Sequence, residues 1–101
     1  MPARLLDPVH PGEVLAEDFL KPMELSQREL AQDISVPARR ISELIHAKRR
    51  VDAEMALRLG RYFGTTARFW LNLQTAYDLD TEQDRLQDRL ESEVRAFTPA
   101  H

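Results

Sequence analysis

The segment from Ser26 to Arg50 limits the possible folds most, because its pattern predicts two short helices joined by a tight turn. Ser26 and Glu29 have the S-x-x-E spacing of a capping box, and Leu25 and Leu30 have the spacing of the hydrophobic staple that accompanies it. The residues Ser35-Val36-Pro37 predict the end of the first helix. A residue before proline avoids the α region, and proline fits only the first turn of a new helix. Two helices separated by a sharp change of direction are therefore expected.

The second of these helices is predicted to have one apolar face and one polar, basic face. Its inward residues would be Val36, Ile41, Leu44 and Ile45. The outer face, its flank and the residues after the helix carry Ala38, Arg39, Arg40, Ser42, Glu43, Lys48, Arg49 and Arg50. A short helix, a tight turn and a second helix with such a face are typical of a helix-turn-helix that enters the major groove of DNA.

The flanking segments also predict helices, so the expected fold is all-α, with five helices and a further one at the C-terminus. Pro11 would open a first helix that Pro22 ends. Asp52 and Gly64 would cap a fourth helix, and Thr65-Thr66 would precede a fifth, from Ala67 to about Leu79. Thr81 would cap the last helix, with the apolar stripe Leu86, Leu90, Val94 and Phe97. We expect a helix-turn-helix domain over residues 1–79, opened by a mobile arm or extended lead-in from Met1 to Val9, and an acidic C-terminal segment over residues 80–101.

Charge is unevenly distributed along the 101 residues, although the net charge is only −3. Residues 26–50 hold six basic and three acidic side chains, which gives +3. Residues 1–25 hold two basic and five acidic side chains, giving −3, and residues 78–101 hold three and seven, giving −4. Contact with phosphate depends on the local field more than on the total, so the central segment remains a candidate for DNA binding.

Several classes of function find no support in the sequence. The chain has no cysteine, which excludes disulfides and thiolate chemistry. His10, His46 and His101 lack metal-ligand spacing, and a glycine-rich phosphate loop is missing, so we expect no enzyme, no cofactor and no metal. No apolar run reaches the length of a membrane span, and the N-terminus lacks a signal-peptide core. We therefore expect a cytoplasmic protein without membrane contact.

Three stretches, one of them the helix-turn-helix itself, make the sequence similar to a known family. The HPGEVL opening, the helix-turn-helix and the run EMALRL…FG…FWLNLQ together resemble the HigA (VapI-like) antitoxins, whose domain is of the phage-repressor (XRE) type. The resemblance covers about residues 8 to 79. It implies a five-helix repressor-like domain, an antitoxin that binds operator DNA as an autorepressor, and a HigB-like mRNA endonuclease as the toxin that it neutralises.

By position, the resemblance also implies which residues contact DNA. Gln27 and Arg28 start the scaffold helix, and a glutamine there usually contacts phosphate. Ala38, Arg39 and Glu43 occupy base-contacting positions, with Arg40 and Ser42 beside them, and Lys48 and Arg49 match a basic pair. Arginine can donate two hydrogen bonds to guanine, and glutamate can accept one from cytosine, although Glu43 could equally form a solvated pair with Arg39 or Arg40.

The sequence departs from the family pattern at three positions around the second helix. Ser35 replaces the usual glycine of the turn, so a non-glycine residue is expected at positive φ, at a cost on the order of 1 kcal/mol. Pro37 replaces a Ser or Thr cap, and Ala47 replaces glycine at the helix end.

Two more surfaces follow from the proposed function. A repressor of this type dimerises to place two helices on successive DNA turns. The candidate dimer residues are Trp70, Leu73, Tyr77, Leu86, Leu90 and Val94. An acidic surface would suit a basic toxin, and the candidates on the first helix are Glu13, Glu17 and Asp18. The alternatives are a stand-alone transcriptional regulator and a protein-interaction module without DNA binding.

Overall fold

The computed structural model describes residues 8–100, which form six helices and no strands. Helix α1 consists of Pro11–Val14, a π-helical stretch Leu15–Leu20 and Lys21–Met23. The others are α2 (Gln27–Ile34), α3 (Ala38–Ile45), α4 (Ala53–Phe63), α5 (Ala67–Leu86) and α6 (Asp88–Glu93). The all-α prediction is confirmed. Within residues 8–100 no helix is both long and apolar enough to cross a membrane. Most of the predicted lead-in, Met1 to Asp7, lies outside the described residues.

Most helix ends lie at the residues that the sequence predicted. The Ser26 hydroxyl accepts a hydrogen bond from the Glu29 amide at 3.0 Å, and the Glu29 carboxylate accepts one from the Ser26 amide at 2.9 Å. This confirms the capping box. Asp52 and Thr66 cap α4 and α5 with their side chains, and Gly64 ends α4 at φ +77°.

Helix α1 passes the proline that was predicted to end it. Its π-helical stretch closes with a hydrogen bond from the Lys21 amide to the Ala16 carbonyl, five residues back. Pro22 follows within the last turn, and the helix ends at Met23 because Glu24 adopts a left-handed conformation, with φ +51°. Pro22 has no N–H to donate, and the π geometry gives the backbone groups beside it other hydrogen-bond partners.

One apolar core holds the helices together and involves every helix from α1 to α5. Its buried members are Leu15, Leu20, Leu30, Ala31, Ile34, Val36, Ile41, Leu44, Val51, Met55, Ala56, Leu59 and Trp70. Trp70 is fully buried, and its indole N–H donates to the Thr65 hydroxyl at 2.8 Å. The ring centres of Phe19, Phe63 and Phe69 lie within 6.2 Å of the ring centre of Trp70. The assignment of Trp70 to a dimer interface is therefore wrong, because its own core covers it completely.

The C-terminal helices begin and end elsewhere than predicted. Helix α5 continues to Leu86, and Thr81 lies inside it, so the predicted cap at Thr81 is wrong. The interruption lies at Gln87, with φ +32°, and the short helix α6 ends before Val94. No proline or glycine occurs between Ala67 and Leu86, and residues such as Glu82 and Arg85 favour helix and pair with each other. The division of the chain after residue 79 stays a prediction.

Candidate nucleic-acid interface

The turn between α2 and α3 is made by a residue in the left-handed region. Ser35 has φ +61°, which confirms the expectation that this non-glycine residue adopts positive φ. The Val36 amide donates to the Ala31 carbonyl at 2.9 Å, which satisfies a carbonyl at the end of α2. Pro37 is extended, with ψ 141°, and precedes α3 without a side-chain cap. The recognition helix therefore starts at Ala38.

Helix α3 separates an inner face from an outer face as the sequence pattern predicted. Ile41 and Leu44 are fully buried and Ile45 is half-buried. Ala38 and Arg39 are exposed on the opposite side, while Ser42 and Glu43 are half-buried beside them. The Arg40 Nε is buried, with no hydrogen-bond partner in the part of the chain that the structure describes. The flank position of Arg40 is thus more enclosed than the position of Arg39.

Glu43 lies between two arginines of the predicted DNA surface. Its Oε1 accepts a hydrogen bond from the Arg49 Nε at 3.0 Å and forms an ion pair with a terminal nitrogen of Arg49, also at 3.0 Å. Its Oε2 lies 3.7 Å from the Arg39 Nε. Glu43 was predicted either to contact a base or to form an ion pair with Arg39 or Arg40. In the protein without DNA it pairs with Arg39, and also with Arg49, a contact that the sequence did not indicate.

The loop after α3 presents the basic pair Lys48-Arg49. Ala47 adopts φ +60°, in the position that glycine usually occupies, and the Lys48 amide donates to the Glu43 carbonyl at 2.8 Å. The Lys48 side chain is exposed and Arg49 is half-buried. The end of the recognition helix therefore fixes the backbone from which both cations extend.

Helix α5 holds the far end of this loop. The Val51 amide donates to Gln74 Oε1 at 2.7 Å, and Gln74 Nε2 donates to Asp78 Oδ1 at 2.9 Å. Arg50 donates to Asp78 Oδ2 at 2.7 Å. The hydrogen bond from Arg50 lowers the pKa of the Asp78 carboxyl below its usual range, against the opposing effect of burial. The sequence pattern did not predict a role for Gln74 or Asp78, although a glutamine four residues after Trp70 on the apolar face was a usable signal.

His10 joins the start of α1 to the same region. Its Nδ1 accepts from the Gly12 amide at 2.9 Å, and its ring meets Tyr77 edge-on, with the ring centres 4.9 Å apart. Burial lowers the pKa of His10 below its usual value, against the raising effects of Asp78 and of a hydrogen bond to the Arg49 backbone. The segment His10-Pro11-Gly12 therefore contacts the basic loop in addition to starting α1.

The start of α2 carries two more of the residues that were predicted to contact DNA. Gln27 and Arg28 are the first two residues of this eight-residue helix, with Gln27 half-buried and Arg28 exposed. Amide groups and the helix dipole at such an end attract anions.

The residues predicted for the dimer and for the toxin lie elsewhere. Leu73, Tyr77 and Leu86 are half-buried, and Leu90 and Val94 are exposed near the C-terminus. Glu13, Glu17 and Asp18 are exposed on α1, where Glu17 pairs with Lys21 at 2.8 Å.

Comparison with known proteins places this geometry among DNA-binding proteins. Residues 17–70 match the helix-turn-helix family. Virulence-associated protein I of Dichelobacter nodosus is 53% identical over 78 residues, which are 76% of this chain and 72% of that protein. Antitoxin HigA-1 of Vibrio cholerae is 37% identical over 81 residues, 80% of this chain and 76% of that one. The structure of Pseudomonas aeruginosa antitoxin HigA with the higBA promoter superimposes with a TM-score of 0.86 and 38% identity, covering 90% of this chain and 99% of that one.

Proposed function

This chain belongs to the helix-turn-helix family and, within it, to the group of virulence-associated protein I and the HigA antitoxins; from that premise we propose that it represses its own promoter and neutralises a cognate toxin. It is a DNA-binding helix-turn-helix antitoxin. The proposal adds the autoregulation, the residues that contact DNA, the dimer, and a HigB-like mRNA endonuclease as the toxin.

The observation that carries the DNA part of the proposal is the position of the cations around the outer face of α3. Arg39 projects from its first turn with a side chain that is 77% exposed, while Lys48 and Arg49 follow its last turn. The α2 N-terminus, with Gln27 and Arg28, supplies a further anion site. Arginine on a recognition helix can fork onto guanine O6 and N7, and the flanking cations can hold phosphates.

The experiment compares Arg39→Ala with Lys48→Ala on promoter DNA and on a scrambled duplex. Arg39→Ala should cost roughly 1–3 kcal/mol on the operator and relax the preference at one base pair per half-site, because a base contact is lost. Lys48→Ala should weaken binding to all sequences alike and reduce the salt slope by about one, because a phosphate contact is lost. Equal losses on operator and scrambled DNA for Arg39→Ala would refute its assignment to base recognition.

The dimer part of the proposal rests on the short recognition helix and on the exposed apolar residues near the C-terminus. An eight-residue helix spans only a few base pairs, so a second copy is needed to contact the next half-site. Leu90 and Val94 are 46% and 62% exposed, so both apolar side chains are open to a second copy. We assign the dimer contact to this end of the molecule, with Leu73, Tyr77 and Leu86 alongside.

The toxin part of the proposal rests on the exposed acidic side chains of α1. Glu13, Glu17 and Asp18 are exposed on α1, whereas the basic residues lie on α3 and the loop after it. A ribonuclease must present positive charge to RNA, so an acidic partner surface gains association rate and specificity.

A pull-down with the adjacent gene product tests this assignment. The test variant replaces Glu13, Glu17 and Asp18 with Lys, and a truncation after Leu79 removes the second acidic segment. If both variants retain wild-type affinity and neutralisation, the acidic-surface assignment is wrong. If the wild-type protein itself captures no toxin, the chain is a stand-alone regulator.

A further inference from the structure

The Glu43 carboxylate is shared between two cations that the proposed function assigns to DNA. One oxygen accepts a hydrogen bond from the Arg49 Nε at 3.0 Å, and a terminal nitrogen of the same guanidinium forms an ion pair with it, also at 3.0 Å. The other oxygen faces the Arg39 Nε at 3.7 Å, which is a charge contact longer than a hydrogen bond. The Glu43 side chain is 32% exposed and that of Arg49 37%, so water screens this pair less than it screens the pairs on α1 or α6.

This arrangement limits how Glu43 could accept from a base itself. Oε1 already accepts from Arg49, and Oε2, the oxygen left for cytosine, has the Arg39 Nε beside it at 3.7 Å. Arg39 is in the opposite situation, because its Nε makes only a 3.7 Å charge contact with the carboxylate and its side chain is 77% exposed. A guanidinium has five donors in a rigid fork, so Arg39 can keep the Glu43 contact while its outer edge meets guanine.

We propose that Glu43 is a specificity-determining positioning residue, which acts through Arg39 and Arg49 and lowers the affinity of the recognition surface for non-cognate DNA. The proposal rests on the DNA-binding function proposed above. Glu43 offers both arginines an internal anion in place of phosphate, and it places a negative charge at the surface that meets the DNA backbone. On random DNA, Arg39 has no guanine to fork onto and would have to leave the carboxylate for a phosphate.

On the operator the Glu43 carboxylate lowers the binding affinity less than it does on random DNA. Arg39 remains beside Glu43 while its outer edge binds guanine, whereas the pairing of Arg49 with Glu43 weakens its phosphate contact on both kinds of DNA. The internal pair thus restricts Arg39 to the geometry that suits one sequence. Discrimination arises because a competing sequence loses affinity, which is one of the two routes to specificity.

The test compares Glu43→Gln with the wild-type protein on a promoter duplex and on a scrambled duplex of equal length and composition. Binding is followed by fluorescence anisotropy from about 50 to 200 mM salt, a range in which phosphate contacts dominate the change in affinity. Glu82→Gln is the matched control, because it removes the same charge from an ion pair with Arg85, at 2.7 Å, on α5 instead of the recognition helix. Glu43→Asp keeps the charge but shortens the reach, and so separates charge from position.

The expected result for Glu43→Gln is a roughly three- to tenfold tighter complex with the scrambled duplex at about 0.1 M salt, with a steeper salt dependence. Operator affinity should change less, so that the ratio of operator to random affinity falls, while the preference at each operator base pair is kept. Arg49→Ala should weaken random binding more in the Glu43→Gln background than in the wild type, because the freed arginine then contributes more.

Two outcomes would overturn the proposal. Weaker operator binding with relaxed preference at one base pair and unchanged random binding would make Glu43 a direct base contact. Unchanged affinity for both duplexes, or the same change in Glu82→Gln, would show that the pair has no local effect. If the wild-type protein does not discriminate between the duplexes at all, the proposed DNA function fails instead, and the two failures are distinguishable. A melting curve of each variant verifies folding, and Glu43→Asp provides the comparison if Glu43→Gln is unstable.

Discussion

Replacing Gly12 with alanine should destabilise the protein more than any other substitution of a glycine. Gly12 is buried at the point where α1 crosses the end of the recognition helix α3. A Cβ atom on residue 12 would overlap the Leu44 carbonyl oxygen and would lie 2.7 Å from the Leu44 carbonyl carbon and 2.9 Å from the Ile45 Cα. All three atoms belong to the main chain, so no side-chain rotation relieves the overlap, and one of the two helices has to move.

The magnitude follows from two opposing effects. Overpacking a core costs about 1–3 kcal/mol where side chains can adjust, and an overlap with backbone lies at the upper end, about 3 kcal/mol or more. Alanine in place of glycine inside a helix returns about 1 kcal/mol through propensity. The net loss is therefore about 2 kcal/mol or more. At roughly 4–8 °C per kcal/mol for a domain of this size, the melting temperature should fall by about 8–16 °C.

The assay is thermal unfolding by circular dichroism, with the other two glycines as a graded control. Gly64 has φ +77° and no atom within 4 Å of a built Cβ, so Gly64→Ala should lose only about 1 kcal/mol through backbone strain. Gly60→Ala should lie between them, because its Cβ would be 3.0 Å from the Ala67 amide nitrogen. A Gly12→Ala protein that melts at or above the temperature of Gly64→Ala would refute the close approach of α1 to α3.

Two further predictions concern pH and assembly. Because burial lowers the pKa of His10, the unfolded chain binds a proton below about pH 6.5 that the folded chain refuses, so stability is complete above that pH and declines below it. Urea titrations at about pH 7 and pH 5 should show a smaller loss of unfolding free energy for His10→Asn, which keeps a capping side chain, than for the wild-type protein. An equal loss in the two proteins would rule out His10 as the cause. Leu90→Asp should convert the proposed dimer to monomers by light scattering at tens of micromolar, whereas Leu57→Asp, at a 63% exposed leucine of α4, should not. A wild-type protein that is already monomeric would contradict the dimer.

The features that the sequence predicted correctly depend on neighbours along the chain. The capping box of Ser26 and Glu29 involves groups three residues apart, and the left-handed Ser35 follows from a turn that must reverse direction before a proline. The buried faces of α2 and α3 follow from helical periodicity, so Leu30, Ile34, Ile41 and Leu44 are core residues as expected. Local geometry of this kind was sufficient to identify the recognition helix and its outer face.

Tertiary structure decided what those local elements contact. Trp70 looked like surplus apolar surface on one helix, but aromatic rings from α1 and α4 enclose it. Nothing local indicated that Glu43 would bind Arg49, six residues away across the end of α3, or that Gln74 would hold the Val51 amide, 23 residues away. Side-chain hydrogen bonds and ion pairs form between groups that packing brings within about 3 Å, and periodicity carries no information on such distances between helices. The C-terminal error has a local cause, since α5 continues through Thr81 because the residues after it favour helix and pair within it, as Glu82 and Arg85 do.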